Sequence, residues 1–348
     1  MPDDKKWPLV SIIIPHWRGA EILQRCLQSL QATDYRPFEI LLIDNACDDG
    51  SVAKVLPHFP EVRVVASAKN LGYAGGCNLG LRASRGKYAA LLNNDAVVTP
   101  GWLAPLVAAM ERNESVAACQ PKILALDAPD QFDYAGAAGG FMDWLGYPFC
   151  RGRVFFTLEH DRGQYDDEVD IFWASGACCL LRQAALAETG ELDEHFFAHM
   201  EEIDLNWRLH WAGYRVRAVP GAVVYHQAGS TLQAESPRKV YLNHRNGLIL
   251  LLKNMPAAQL FKVLPLRLLL DVLAALRMLL RLHWAQAVKV LAAYVYLITH
   301  ARQIRRQRRQ SYDSRKIAHT ALLRKFYARS IVWDYFAGGK KRFSDLPS

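Results

Sequence analysis

The sequence predicts an α/β protein with a mostly parallel sheet, helices on both faces of that sheet, and a C-terminal helical region. Short apolar runs alternate with amphipathic stretches through the first half of the chain, as in sheets whose strands are joined by helices. Each apolar run is followed by a polar or glycine-rich loop, and after residue 230 the pattern changes to long helices. We therefore expect an α/β catalytic domain over residues 1–230 and a helical region over residues 231–348.

The composition is that of a folded protein with free thiols. Of the 348 residues, 51% are hydrophobic and 22% are charged, which excludes disordered, collagen-like and low-complexity chains. The seven cysteines include no Cys-x-x-Cys pair, so we expect free thiols in a reducing compartment, with Cys178 and Cys179 in the core. The N-terminal segment lacks the long apolar region of a signal peptide. These observations favour a cytoplasmic location.

The first half of the chain contains four predicted strand–helix units. Strands are expected at residues 10–14, 39–43, 63–66 and 88–92, and helices at 21–31, 52–56, 75–83 and 101–112. Pro15 is expected to end the first strand. Because ligands bind beyond the carboxyl ends of parallel strands, the loops that begin at Pro15, Asp44, Asn70 and Asn93 should converge on one crevice.

The alternation of strand and helix signals weakens over residues 121–170 and becomes regular again after residue 170. Residues 121–170 are rich in glycine, aspartate and aromatic residues, and we expect loops and a hairpin over the crevice. An apolar run at 171–181, an amphipathic helix at 201–212 and two short strands at 214–218 and 222–225 follow. Regular structure is therefore expected to return after residue 170.

The C-terminal region is basic and amphipathic. Residues 1–230 contain 20 Lys or Arg and 29 Asp or Glu, which gives a net charge of −9. Residues 231–348 contain 22 Lys or Arg and 5 Asp or Glu, which gives a net charge of +17. Helices are expected at 238–253 and at 257–309, the second interrupted at Pro265. Its charged residues from Lys262 to Lys289 fall within one half-turn of the helix. The opposite, apolar face either packs on the catalytic domain or lies in a membrane interface.

The clustered cations favour a membrane interface. Anionic headgroups attract such cations, and the aromatic residues between them are typical of interfaces. No uncharged apolar run reaches the ~18 residues of a spanning helix, so we expect a peripheral protein on the inner face of an anionic membrane. A nucleic-acid-binding protein is the non-enzymatic alternative. No recognition motif accompanies the charges, and an apolar helix face does not serve phosphate binding, so no nucleic-acid partner is expected.

Asp44 and the glycine-rich string at residues 70–81 are candidate nucleotide contacts. A carboxylate at a strand end can accept the imide N–H of uracil or thymine, although the turn-forming string around Asp44, taken alone, favours capping of the next helix. Gly75 opens a predicted helix, where backbone N–H groups either face diphosphate oxygens or form a tight turn. The string fits neither GxGxxG nor a P-loop, which disfavours nicotinamide enzymes and P-loop nucleotidases.

Carboxylates at two other positions are candidate site residues. Asp95 follows a strand in the string Asn93-Asn94-Asp95, and a carboxylate oxygen is a suitable ligand for a hard divalent cation. Glu201, Glu202 and Asp204 lie at the start of a helix, whose dipole stabilises them. Their mutual repulsion raises at least one pKa, which favours a general base.

Six segments resemble the inverting family 2 glycosyltransferases of the GT-A fold, in particular their rhamnosyltransferase-like branch. In family order they are VSIIIPHWRGAEILQRCLQSL, EILLIDNACDDGS, NLGYAGGCNLGL, ALLNNDAVVTPGW, WASGACCLLRQAALAETGELDEHFFAHMEEIDLNWRLHWAGYRV and VVYHQAGS. The resemblance spans about residues 8–255. It implies the Rossmann-like fold of nucleotide-diphospho-sugar transferases, with a mostly parallel sheet.

The resemblance also implies roles for individual residues. It makes Glu202 the general base, with Glu201 able to share that role, and it makes Asp95 and His226 ligands of a divalent metal, Mn2+ or Mg2+. Imidazole suits Mn2+ better than Mg2+. The positions expected to contact the nucleotide sugar are Pro15, Asp44, Asn70, Gly72, Gly75, Asn78, Asn93, Asn94 and Gly176.

The predicted activity is transfer of a hexose, with inversion, from a UDP- or dTDP-sugar to a hydroxyl group of a lipid-linked or cell-surface glycan. Rhamnose-like sugars, galactofuranose and N-acetylhexosamines are the candidate sugars. A sugar-phosphate nucleotidylyltransferase is the enzymatic alternative, since it has a related fold and needs metal and nucleotide. It would carry a Gly-rich, Arg/Lys-bearing signature near the first strand, and PHWRGAE is not that signature.

Overall fold

The computed structural model describes residues 7–227 and 236–347. The strands are β1 (Val10–His16), β2 (Phe38–Asn45), β3 (Val62–Ser67), β4 (Tyr88–Leu92), β5 (Ala96–Val98), β6 (Val116–Ala125), β7 (Gly140–Met142), β8 (Pro148–Cys150), β9 (Arg153–Val154), β10 (Thr157–Leu158), β11 (Val169–Ile171), β12 (Cys178–Arg182) and β13 (Arg215–His226). The helices are α1 (Ala20–Gln31), α2 (Ser51–Val55), α3 (Gly72–Ala83), α4 (Leu103–Arg112), α5 (Gln183–Thr189), α6 (Glu201–Trp211), α7 (Pro237–Asn254), α8 (Ala257–Leu280), α9 (Trp284–Thr299), α10 (Ala301–Asp313), α11 (His319–Leu323) and α12 (Ile331–Phe336).

The larger sheet is mixed. Nine strands of the described residues form it in the order β11-β13-β6-β12-β4-β1-β2-β3, with β5 paired to β13. β3, β2, β1 and β4 are parallel, as are β6 and β13. β12 runs antiparallel to β4 and β6, and β11 and β5 run antiparallel to β13. The α/β class is confirmed, and six of the nine strands, β1, β2, β3, β4, β6 and β13, run in one direction, whereas β5, β11 and β12 run in the opposite direction.

β1 continues past Pro15, so the prediction that this proline ends the strand is wrong. β1 pairs with β2 as far as His16, which lies opposite Asp44, but with β4 only as far as Ile13. A proline lacks the N–H group that a second neighbouring strand would require. Pro15 is tolerated because β4 has already ended there.

Two other predicted elements have different bounds. The helix predicted at 75–83 begins three residues earlier, at Gly72. The strands predicted at 214–218 and 222–225 form one strand, β13, whose register against β6 shifts between Val219 and Val223. Pro220 and Gly221 lie within that shift, and they interrupt the sequence pattern without ending the strand.

Residues 121–170 contain the predicted hairpin. After β6, the strands β7 to β10 form a four-stranded antiparallel sheet. Phe149 and Val154 of this sheet pack with Ile331 and Tyr335 of α12 in a small core. The C-terminal segment therefore covers the smaller sheet.

The helices after residue 236 share a core with the sheet-bearing part of the chain. Trp207 and Trp211 of α6 pack in one cluster with Ile249 and Leu250 of α7, and with Ile304 of α10. All seven cysteines are free, and Cys178 and Cys179 are buried in β12 as predicted.

α8 runs through Pro265, so the predicted interruption there is wrong. A proline inside a helix removes one backbone hydrogen bond, yet α8 extends from Ala257 to Leu280. The chain turns instead at Leu282, whose φ is 61°, and again near His300, so the predicted segment 257–309 forms three helices.

Two charged residues of α8, Arg267 and Asp271, face the protein, while many of the leucines of this helix are exposed. Arg267 is 4% exposed, stacks 3.8 Å from the ring of Tyr147 and donates to the Gly146 carbonyl at 3.2 Å. Asp271 is 2% exposed, accepts from the Tyr294 hydroxyl at 2.7 Å and lies 3.2 Å from His244 Nδ1. Burial of these charges is offset by their partners, which leaves the leucines of the helix in contact with solvent.

Exposed apolar side chains of α8 and α9 form what we call the α8–α9 apolar surface. Its members are Phe261, Leu268, Leu269, Val272, Leu273, Leu276, Leu280, Trp284, Val288, Leu291, Val295 and Ile298. Contiguous exposed patches of this kind mark interaction sites in soluble proteins. Within the described residues, none of the helices combines the length and the apolar composition needed to cross a bilayer.

Candidate active site

The loops after β1, β3 and β4 and the end of β2 converge on one cavity of about 1600 Å³, as expected for the carboxyl edge of a parallel sheet. The smaller sheet, α6, α7, α8 and α12 complete its walls. Ten predicted site residues line it, namely Pro15, Asn70, Gly72, Asn93, Asn94, Asp95, Gly176, Glu201, Glu202 and His226.

Asn45, at the end of β2, forms hydrogen bonds with the loop that begins the glycine-rich string at residues 70–81. Its Nδ2 donates to the Gly72 carbonyl at 2.9 Å, and its Oδ1 accepts from the Leu71 N–H at 2.8 Å. Gly72 has a φ of 72°, and a Cβ there would lie 2.4 Å from the carbonyl oxygen of Phe197. Only glycine fits this close approach. Asn45 was missed by the sequence analysis, although it directly follows the predicted Asp44.

Three predicted residues do not line the cavity. Asp44 Oδ1 accepts from the Cys47 N–H at 2.8 Å, which is the turn-capping contact that its sequence also allowed. Asn78 is buried in α3, where its amide donates to the Leu192 carbonyl at 2.8 Å and accepts from the Leu192 N–H at 3.1 Å. Gly75 is buried in the same helix. The expectation that all three lie at the cavity wall is therefore corrected, because each is used for contacts within the protein.

Asp95 and His226 meet where β5 pairs with the end of β13. His226 Nε2 lies 3.1 Å from Asp95 Oδ1, and His226 Nδ1 lies 2.9 Å from Asp133 Oδ1. Burial disfavours the imidazolium, but hydrogen bonds to Asp133 and Asp95 and the charges of both raise the pKa of His226 to about 10. Asp133 was missed because it lies in the irregular segment 121–170, where no sequence pattern marks it.

This arrangement fits a divalent cation. Two ligand atoms bound cis in an octahedron at about 2.1 Å lie about 3.0 Å apart. The 3.1 Å between Asp95 Oδ1 and His226 Nε2 is close to that separation. A carboxylate on Nδ1, here Asp133, is the usual partner of a metal-binding histidine, since it selects the tautomer that presents Nε2.

A second group of potential ligands lies beside β2. In residues 7–227 and 236–347, His16, Cys47 and Asp49 form the one group of three such side chains whose ligand atoms all lie within 4.8 Å of one another. Their polar atoms bond within the protein, since His16 Nε2 lies 2.6 Å from Ser51 Oγ and Cys47 Sγ donates to Asp49 Oδ1 at 3.0 Å. Burial lowers the pKa of His16 to about 4. Hydrogen bonding accounts for this group without a metal.

Glu201 and Glu202 are adjacent carboxylates at the start of α6. Within the described chain, neither the Oε2 of Glu201 nor that of Glu202 has a hydrogen-bond partner. Burial raises the pKa of Glu202 to about 7. Burial and the charge of Glu202 raise the pKa of Glu201 well above its usual range. Glu202, whose pKa lies near neutrality, is therefore the carboxylate of the pair that is suited to accept a proton.

The loop before this carboxylate pair has an unusual backbone. Phe197, His199 and Met200 have φ values of 64°, 70° and 74°, a left-handed region that costs free energy for residues other than glycine. The amide nitrogen of Asn246 lies within 3.0 Å of the carbonyl oxygens of residues 196, 198 and 199. Asn246 on α7 therefore stabilises the conformation that presents Glu202, a role that its sequence position does not reveal.

Comparison with known proteins gives the family. The family described as Glycosyl transferase family 2 matches residues 11–190. The N-acetylglucosaminyl-diphospho-decaprenol L-rhamnosyltransferase of Mycobacterium tuberculosis is 32% identical over 229 residues, which are 60% of this chain and 73% of that protein. The O-antigen biosynthesis protein RfbC of Myxococcus xanthus is 29% identical over 238 residues, which are 66% of this chain and 18% of that protein.

Solved structures agree on the fold. GalNAc-T7 with UDP, GalNAc and Mn2+ superposes with a TM-score of 0.57 at 18% identity, over 71% of this chain and 48% of that chain. S. aureus TarS in complex with UDP superposes with a TM-score of 0.53 at 14% identity, over 90% of each chain. Fold and cavity thus define a glycosyltransferase with the GT-A fold. The chain belongs to glycosyl transferase family 2.

Proposed function

We propose that this enzyme transfers a hexose, with inversion, from a nucleoside diphosphate sugar to a hydroxyl group of a lipid-linked or polysaccharide acceptor. The observation that carries the proposal is that the carboxylates of Glu201 and Glu202 and the Asp95–His226 pair open into one cavity. The relatives named for L-rhamnosyl transfer to a diphospho-decaprenol and for O-antigen biosynthesis support a sugar donor and a glycan or lipid acceptor.

The donor is proposed to be a UDP- or dTDP-sugar, bound at the end of the cavity formed by β1, β2 and β4. Asn70 and Gly72 line that end, and Asn93 and Asn94 follow β4 beside it. Asp95 and His226 would hold Mn2+ or Mg2+. When bound, the cation neutralises charge on the departing diphosphate. Structures similar in fold hold UDP or GDP-mannose, two of them with Mn2+, which supports this assignment.

Glu202 is the proposed general base. Its partly ionised carboxylate lies in the cavity, where it would accept the proton of the attacking acceptor hydroxyl as the new glycosidic bond forms. Burial raises the pKa of this carboxylate to near neutrality. One base acting on the side opposite the leaving group gives single displacement, and therefore inversion.

The protein is proposed to lie on the cytoplasmic face of an anionic membrane, where a lipid-linked acceptor is available. The α8–α9 apolar surface is exposed, whereas Arg267 and Asp271 of the same helix α8 are buried. Exposed arginines on α10, including Arg302, Arg305 and Arg309, follow this surface along the chain. An exposed apolar face with nearby cations is the pattern of a helix lying in a membrane interface.

Donor binding is the first experiment. Nucleotide sugars are screened by thermal shift with and without Mn2+, and each stabilising donor is then tested for transfer to a lipid-linked acceptor. We expect UDP- or dTDP-sugars to raise the Tm only when Mn2+ is present. Nucleotide sugars that leave the Tm unchanged in every condition would contradict the proposed function.

A further inference from the structure

Arg153, on β9, is a buried cation that lines the cavity. It is 8% exposed, its Nε has no hydrogen-bond partner, and no carboxylate of the described residues lies within ion-pair distance. Its guanidinium carbon lies 4.4 Å from the centre of the Tyr134 ring, and its Nη2 donates to Cys150 Sγ at 3.4 Å. These are weak contacts for a buried charge, so the site is completed when an anion occupies it.

Lys239, in the first turn of α7, is a second cation beside the same ring. Its Nζ lies 5.7 Å from the centre of Tyr134, and the side chain lines the same cavity. Burial and the charge of Arg153 lower the pKa of Lys239. His199 also lines the cavity, and its buried Nε2 has no hydrogen-bond partner in the described structure. Within residues 7–227 and 236–347, Arg153 Nε and His199 Nε2 therefore face the cavity without a hydrogen-bond partner, beside the cation of Lys239.

Residues near this cationic pair contact both the proposed metal site and the apolar part of the cavity. Tyr134 directly follows Asp133, which bonds to His226 at the proposed metal site. Phe155 follows Arg153 by two residues in the chain, and the centre of its ring lies 5.2 Å from the centre of the Phe336 ring on α12.

The apolar part of the cavity continues onto the α8–α9 apolar surface. Phe155 and Phe336 line the cavity together with Leu269 and Leu273 of α8. Leu269 and Leu273 are also members of the α8–α9 apolar surface, with more than half of each side chain exposed. A chain bound along this wall would therefore leave the cavity at the surface that we propose contacts the membrane.

We propose that Arg153 and Lys239 bind the diphosphate that joins an acceptor sugar to a prenyl chain, and that this chain lies along the wall formed by α8 and α12. The inference rests on the proposed function. A guanidinium binds phosphate oxygens through paired N–H donors, and an ammonium adds a compact charge. The diphosphate of the sugar donor would bind at a different position, beside Asp95 and His226.

Binding of short analogues tests the inference without knowledge of either sugar. Farnesyl diphosphate and farnesol are titrated into the full-length protein by calorimetry, and UDP and dTDP are titrated in the presence of Mn2+. Arg153→Gln should weaken farnesyl diphosphate binding by about 10- to 100-fold, the loss expected when charge-assisted hydrogen bonds are removed. Its affinity for farnesol and for the nucleotides should be unchanged. Lys54→Gln, an exposed change on α2 remote from the cavity, should alter none of these affinities.

Lys239→Gln provides a second variant in case Arg153→Gln does not fold, and it should also weaken farnesyl diphosphate selectively. Loss of nucleotide affinity in either variant, with farnesyl diphosphate binding intact, would assign the cations to the donor and overturn the inference. Equal farnesyl diphosphate affinity in wild type and both variants would overturn it as well. If wild type binds nucleotide with Mn2+ in those experiments, the proposed function still stands.

Discussion

Glu202 and Glu201 are adjacent carboxylates that differ in pKa. Glu201 is buried and Glu202 is half-buried; the pKa of Glu202 is raised to about 7, whereas burial and the charge of Glu202 raise the pKa of Glu201 well above its usual range. A base must be ionised to accept a proton and basic enough to retain it, and a pKa near neutrality satisfies both demands. This difference favours Glu202, and not Glu201, as the residue that titrates in catalysis.

The first prediction concerns this titration. Because the ionised form of Glu202 is active, kcat/KM should fall tenfold per pH unit below about pH 7 and reach a plateau above it. Glu202→Gln should lower turnover by about 10²- to 10⁴-fold and remove this limb of the profile, with donor affinity retained. The exposed Glu114→Gln serves as the control and should keep the wild-type profile. An active Glu202→Gln enzyme beside an inactive Glu201→Gln enzyme would transfer the role to Glu201.

The second prediction concerns the metal ligands. Asp95→Asn removes a carboxylate with little change in shape, so the Mn2+-dependent gain in UDP or dTDP affinity should disappear in calorimetry. Asp133→Asn leaves both proposed metal ligands in place but weakens the hydrogen bond that orients His226. The apparent Mn2+ affinity should therefore fall about 10- to 100-fold. The exposed Asp127→Asn is the matched control. Unchanged Mn2+ dependence in Asp95→Asn would show that the metal site is elsewhere.

α6 and α7 act as a unit that positions the catalytic loop. α6 carries the carboxylates, and α7 contributes Asn246 to the loop before them. On the same pair of helices, Lys253 Nζ lies 2.8 Å from Asp204 and 2.7 Å from Asp193. Arg208 also pairs with Asp204, at 2.9 Å.

The third prediction separates positioning from stability. Asn246→Leu leaves buried carbonyl groups without donors, so stability should fall by about 1–3 kcal/mol and kcat should fall with donor affinity retained. Lys253→Met breaks a buried ion pair and should cost about 3 kcal/mol, but kcat at a temperature where the protein is folded should change little. Denaturant unfolding and initial rates measure both effects. Equal kcat losses in the two variants would assign Asn246 a merely structural role.

Taken as a whole, the molecule is polarised in charge and in surface chemistry. The net charge of −9 before residue 230 and of +17 after it places the cations in the part of the chain that carries the α8–α9 apolar surface. Each cation near an anionic surface is worth about 1 kcal/mol and is screened by salt, whereas burial of apolar area is not screened. Two independent contributions to membrane binding are therefore expected.

The fourth prediction tests these contributions separately. High salt should release only part of the protein from anionic vesicles in a flotation assay. The triple variant Leu280→Ser, Leu291→Ser, Ile298→Ser should release much of the protein that stays bound at high salt, without a lower Tm. The three native side chains are 86%, 61% and 77% exposed. These side chains do not line the cavity, so transfer to a soluble acceptor should be retained. Wild-type protein that stays unbound at low salt with anionic vesicles would contradict the membrane proposal.

Much of the fold and part of the site could be predicted because their signals are local. Alternating apolar runs with polar loops at their ends predicted β1 to β4 and the crevice at their carboxyl edge. Asp95, Glu202 and His226 stand in recognisable strings at the ends of elements, and the structure brings them into one cavity. Asp133, Asn246 and Arg153 carry no such signal, because their partners lie on elements far away in the chain.

The amino-acid sequence by itself determined the order of strands and helices, the family motifs, and the division of α8 into a charged and an apolar face. Only the tertiary structure decided which face points inward. Arg267 and Asp271 are buried because Tyr147, His244 and Tyr294, from three other elements, supply the contacts that offset their desolvation. The periodicity of one helix cannot contain that information, since the same apolar stripe suits a protein core or a membrane surface, and the choice depends on partners that meet only in the folded chain.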